Sequence, residues 1–197
     1  MNFLAHLYLT KDAPELVSVG NFMADAVKGT KALELHPELI QQGIRIHRAI
    51  DSFTDTHPIF KQGTARLHAN YGKFAPVIMD IFYDHLLAIR WLDYNQQSLE
   101  DFSKDQYRLL TKHKLLMPDA SRKWLRYIKM ENLLLNYANE AKIAQVLKRM
   151  DKRTGSISGM SSAINELRVY KSMLKIEFTN FMQDMQQQDF IYKLKSE

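Results

Sequence analysis

The sequence predicts an all-α protein, a single-domain helical bundle over residues 1–197, and three observations carry that expectation. Apolar residues recur at intervals of three and four, the period of a helix with one buried face. Glycine and proline are sparse, at 7 and 5 of 197 residues, so few positions interrupt that pattern. Nowhere does the chain alternate convincingly between apolar and polar residues as a half-buried strand would. At 46% hydrophobic the chain can bury a sizeable core within the usual length of one domain.

The elements follow in order. Leu16, Val19, Met23 and Ala26 step along one helical face, and Gly29-Thr30 ends that helix. His36-Pro37 opens the next, with a stripe of Ile40, Ile44, Ile46, Ile50 and Phe53. Thr56-His57-Pro58 separates it from a third helix, for which Asp55 or Thr56 is the expected N-cap. Gly72 to Pro76 starts a fourth, carrying Val77, Ile78, Ile81, Leu86 and Ile89. A charged helix is expected from about Leu99 to Leu115, and Met117-Pro118-Asp119 introduces another. Thr154 to Gly159 is the most loop-like stretch, followed by an amphipathic segment from Ala163 to about Phe190.

Composition narrows the chemistry. Cysteine is absent, which removes disulfides, thiolate zinc sites and cysteine nucleophiles and suits a reducing cytoplasm, the expected location. The opening Met1 to Leu9 is apolar but lacks a basic leader and carries His6 at its centre, so it reads as mature sequence. No run of about 18 uncharged apolar residues suggests a membrane span. The net charge of +5, from 27 basic and 22 acidic residues, gathers in patches. Arg122, Arg126 and Lys129 fall at i, i+4 and i+7 and form one basic helical stripe, and Lys148, Arg149, Lys152 and Arg153 form a second cluster. Such patches are ordinary solvated faces or docking surfaces for an acidic partner.

The chemistry-bearing residues stand out against apolar surroundings. His47 and Asp51 are spaced i, i+4 beside Ile46, Ile50 and Phe53, so one helix presents an imidazole and a carboxylate about one turn apart. Asp84-His85 lies in Ile81 to Leu87, Asp25 shares a helical face with Asn21, and His6 sits between Ala5 and Leu7. Buried acids and imidazoles need partners, and a shared divalent cation is the economical one. Asp55 is better suited to capping, and His36, His57, His68 and His113 read as surface histidines.

In order, Asn2-Phe3-Leu4-Ala5-His6-Leu7, Gly20-Asn21 with Ala24-Asp25, Gly43-Ile44 with His47-Arg48 and Ile50-Asp51, Thr54-Asp55, Ala75-Pro76 and Asp84-His85 resemble the acyl carrier protein phosphodiesterases. That family is similar in fold to the HD-domain phosphohydrolases. Here, however, His47 and Asp51 are three residues apart and the adjacent pair runs Asp-His.

The resemblance implies hydrolysis of the phosphodiester joining 4'-phosphopantetheine to a serine of acyl carrier protein, a small acidic helical protein. It also implies a divalent cation, manganese or magnesium, and mixed imidazole and carboxylate ligands suit manganese or iron better than magnesium. On this reading His6, Asp25, His47 and Asp84 are the expected metal ligands, and Asp51 is a fifth ligand or orients His47. His85 protonates the leaving serine oxygen, and Arg48 holds a non-bridging phosphoryl oxygen. Arg122, Arg126 and Lys129, or the cluster at 148 to 153, dock the carrier protein. Two other readings stay open: a phosphohydrolase acting on a nucleotide or other small phosphoester at the same site, and a basic helical nucleic-acid-binding protein, which would leave the His/Asp set without a task.

Overall fold

Two glycines let α2 (Glu15–Met23) and α4 (Glu38–Thr56) pack backbone against backbone. A β-carbon added at Gly20 would lie 2.1 Å from the Ile40 carbonyl oxygen, and one at Gly43 would lie 2.0 Å from that of Val17. Any larger residue would force the helices apart. Ile40, Ile44, Ile46 and Ile50 of α4 are fully buried, as their spacing predicts.

The structure is a computed structural model that describes residues 1–188 and Phe190. It is all-helical, with no strand among the described residues. Before α2 comes α1 (Phe3–Leu9), which lies against α2 and α6. The short α3 (Thr30–Glu34) precedes α4, and α5 (Pro58–Tyr71) and α6 (Ala75–Ile89) follow it. The second half holds α7 (Leu99–Lys112), α8 (Asp119–Met130), α9 (Leu133–Asn136), α10 (Glu140–Arg153), α11 (Ala163–Val169) and α12 (Lys171–Gln186). One contiguous apolar core runs from Met1 to Met185. An aromatic group pins α5, α6 and α12 together: the Tyr83 ring lies 4.9 Å from that of Phe181, 5.3 Å from Phe178 and 5.5 Å from Phe60, centroid to centroid. No helix among the described residues is long and apolar enough to cross a membrane.

Local chemistry sets most boundaries. Ser98 accepts from the Asp101 amide to cap α7, and Asn139 accepts from the Ala141 and Lys142 amides to cap α10. Several boundaries differ from the expected ones. The helix begun at Glu15 ends at Met23 and continues as a single 3₁₀ turn, Ala24–Ala26, after which Gly29 at φ 81° leads into α3. The cap of α5 is neither Asp55 nor Thr56 but His57, whose Nδ1 accepts from the Ile59 amide while Nε2 meets Asp184 Oδ2 of α12 at 3.2 Å. His57 is therefore a buried tie between helices rather than a surface residue. The amphipathic segment from Ala163 is two helices divided at Tyr170, and its expected end near Phe190 runs past Asp189, which lies outside the described residues along with residues 191–197.

The Gly43→Ala substitution should lower stability by about 1–3 kcal/mol in chemical denaturation, because the new methyl group meets rigid backbone. The Gly63→Ala variant is the contrast. Its β-carbon would meet the flexible end of Met79, so its loss should be clearly smaller.

Candidate metal centre

The crossing of α2 and α4 brings Asn21 beside His47, and α1 lays His6 on top of them. The two imidazoles stack with centroids 4.0 Å apart and planes 18° from parallel. Asn21 Oδ1 lies 3.0 Å from Nδ1 of each ring. The orientation of this amide is set by its other end, which donates to the His6 carbonyl at 2.8 Å and to Thr10 Oγ1 at 3.3 Å. Oδ1 can only accept, so both Nδ1 atoms must donate, and both Nε2 atoms face the other way.

There they meet Asp51. His6 Nε2 lies 3.1 Å from Asp51 Oδ1, and His47 Nε2 lies 3.1 Å from Oδ2 and 3.5 Å from Asp25 Oδ1. The buried Nε2 of His47 has no aligned hydrogen bond despite these short distances. Two neutral rings already donating through Nδ1 would turn nitrogen lone pairs toward carboxylate oxygens, an arrangement that needs a proton or a cation between them.

Without a cation, one proton on His47 satisfies one of the two contacts and leaves the other open. Burial and the neighbouring His47 lower the His6 pKa to about 4. Burial also opposes charge on His47, but the Asp25 and Asp51 carboxylates outweigh it and raise this ring to about 9. Partial burial pushes the Asp51 pKa upward, yet the contacts from His47 and His6 win and hold it well below the usual carboxylate range. Ligand atoms of His6, His47 and Asp51 all lie within 4.8 Å of one another. Beside them opens a cavity of about 60 Å³ bordered by Asn2, Phe3, His6, Asn21, Asp25 and His47. That is room for an ion with a water or two. Two imidazoles and a carboxylate, with an orphaned Nε2 among them, fit a divalent cation.

The other expected site residues fall in different places. Asp25 borders the cavity from the 3₁₀ turn, but its side chain is 74% exposed rather than buried, because the helix ends before it. Asp84 is fully buried and is not brought into the cluster. It accepts from the backbone amides of Leu4 at 2.8 Å and of Asn2 and Ala5 at 3.3 Å, and so anchors the first turn of α1, the helix that carries His6. Burial raises its pKa to about 7 against these donors. His85 points away from the cluster, with Nδ1 2.7 Å from the Tyr137 carbonyl, and burial lowers its pKa. Arg48 is exposed and donates to the Val27 carbonyl at 2.9 Å. The stripe of Arg122, Arg126 and Lys129 is exposed along α8, bordering a groove of about 370 Å³ with Lys114 and Leu115.

Asn21 stands out in the sequence by sharing a face with Asp25 and lying beside Gly20 in an apolar run, but only the fold shows its role, as the acceptor common to both rings.

Fold and site together define an all-helical protein with a candidate divalent-cation centre of two imidazoles and a carboxylate. Comparison with known proteins is narrower. A family profile described as acyl carrier protein phosphodiesterase matches residues 1–185, and the chain belongs to that family. It is similar to proteins of that name from Photorhabdus laumondii (31% identical over 195 residues, covering 96% of this chain and 98% of the relative) and Yersinia enterocolitica (32% over 189 residues, 95% and 97%). A third, from Yersinia pestis, is 31% identical over 189 residues, again covering 95% and 97%. No solved structure matches the chain significantly.

The Asp84→Ala variant leaves three amide donors of α1 without their acceptor, at roughly 1–3 kcal/mol for each buried one. It should lose on the order of 3 kcal/mol or more in chemical denaturation. If Asp84 were a metal ligand instead, the destabilisation would appear only in comparison with the cation-loaded protein.

Proposed function

We propose that this protein hydrolyses the phosphodiester between 4'-phosphopantetheine and the serine of holo acyl carrier protein, releasing the apo carrier and phosphopantetheine. The observation that carries the reading is the paired Nε2 atoms of His6 and His47 directed at Asp51, in a chain of the acyl carrier protein phosphodiesterase family. In this reading His6, His47 and Asp51 hold a divalent cation, manganese or magnesium with iron as a further candidate, and Asp25 stands beside His47 at the cavity edge. Such an ion, when bound, neutralises charge on the phosphoryl oxygens and acidifies a water for attack on phosphorus.

The protein's own groups prepare that chemistry. Asn21 holds both rings in one tautomer by accepting from both Nδ1 atoms. Asp84 holds α1, and with it His6, in place. Asp51 balances the charge of an imidazolium or of a cation. Asp25, more exposed than Asp51, stands at the solvent edge of the cavity, where its contact with His47 holds it ionised. Arg48 and His85 are engaged elsewhere and receive no chemical role in this reading. The Arg122, Arg126 and Lys129 stripe steers the acidic carrier; Arg126 forms no ion pair among the described residues, whereas Arg122 pairs with Asp119.

Two measurements test this. Incubation of the protein with holo acyl carrier protein and manganese, followed by mass spectrometry, should show the carrier losing the mass of phosphopantetheine, and chelation should stop the loss. An intact carrier, or cleavage of nucleotides in its place, would overturn the proposal. The Asn21→Leu variant removes the shared acceptor and should weaken manganese binding by about 10–100-fold in calorimetric titration. An unaltered affinity would show that Asn21 does not prepare the ligands.

A further inference from the structure

A second opening begins where the metal-centre cavity ends. Asn2 and Phe3 border both the small cavity at His6 and His47 and a larger groove of about 470 Å³ between α8 and α10. The two spaces thus adjoin across the first residues of the chain. The groove falls in the ~300–1,000 Å³ range of small-molecule sites.

Its walls have a definite chemistry. Trp124, Tyr127, Val146 and Met150 supply aromatic and aliphatic surface. Tyr137, fully buried, also borders the groove. Tyr127 is fixed by the guanidinium groups of Arg149 and Arg153, 5.8 and 5.9 Å from its ring centroid. Arg149 is neutralised by Glu131 at 2.9 Å, but Arg153 and Lys123 form no ion pair among the described residues and leave the rim cationic.

We propose that this groove binds the pantetheine arm of the substrate, with the phosphorus at the His6, His47 and Asp51 cluster and the arm leaving it across Asn2 and Phe3. This rests on the function proposed above and adds where the substrate lies. Of the two groups on phosphorus, the serine belongs to a folded protein too broad for a groove and must approach from the open side. The arm is a thin chain with a gem-dimethyl carbinol, secondary amides and a thiol. The aromatic and aliphatic walls suit the first, and the Arg153 and Lys123 side chains, which form no ion pair among the described residues, can donate to the amide carbonyls. Arms of different length or terminal group would then be told apart between α8 and α10 rather than at the metal centre.

The test compares two phosphate ligands by calorimetric titration of the manganese-loaded protein: 4'-phosphopantetheine and methyl phosphate, which has the phosphate but no arm. Phosphopantetheine should bind at least tenfold more tightly to the unmodified protein. Met150→Trp and Val146→Trp, two separate ways of filling the groove, should each bring the ratio to within about twofold, and circular dichroism verifies that each variant is folded. No preference in the unmodified protein, or a preference that survives in every folded variant, would overturn the proposal. The result is separable from the hydrolytic reading. If holo carrier protein is cleaved but the ratio ignores both substitutions, only the groove fails; if the ratio collapses as expected but no carrier is cleaved, the groove stands and the activity does not.

Discussion

The close approach of α2 and α4 is the constraint on which the site depends. Gly20 and Gly43 bring the two backbones to a separation that no side chain tolerates, and the residues just beyond them, Asn21 and His47, then lie within hydrogen-bonding reach. A side chain at either glycine would push the helices apart and move the amide away from the ring. The same contact explains why Asn21 is fully buried and yet has its polar atoms satisfied. Packing and chemistry are one arrangement here, since the small residues that permit the crossing also set the register of the polar group beside them.

Around that crossing the charges are interdependent. Asn21 makes donors of both Nδ1 atoms, which commits both Nε2 atoms to the Asp51 side. Stacked at 4.0 Å, the rings do not both take the second, charging proton: with each Nδ1 already protonated, His47 becomes the imidazolium and His6 stays neutral. The neutral ring then faces a carboxylate with a lone pair, a conflict that a divalent cation would relieve. Burial magnifies it by weakening the solvent that would otherwise screen these groups.

Asp84 illustrates how a buried charge can serve a site without belonging to it. The first amides of a helix have no partners inside that helix, and Asp84 supplies them from α6, 79 to 82 residues away in sequence. The position of His6 is thereby tied to the core of the protein. His57 does comparable work elsewhere, capping α5 while reaching Asp184 on α12. Both residues look like isolated polar groups in the sequence, and both are joints between distant helices.

The helical class is legible from the residues alone, because the three-and-four spacing of residues such as Ile40, Ile44 and Ile50 has one physical solution, a helix with a buried face. So is the pairing of His47 with Asp51, since i, i+4 residues on one helix are neighbours whatever surrounds them. Which other polar residues join them depends on how the helices pack. Asp84 and Asp25 were equivalent as acids in apolar runs, but the fold turned one toward the amides of α1 and left the other on an exposed 3₁₀ turn at the cavity edge. The role of Asn21 was likewise invisible, because it requires three separate helices to converge on one amide oxygen and its neighbouring nitrogen. Contacts within a turn of helix are written in local spacing; contacts between helices depend on how closely their backbones approach, and here two glycines set that distance.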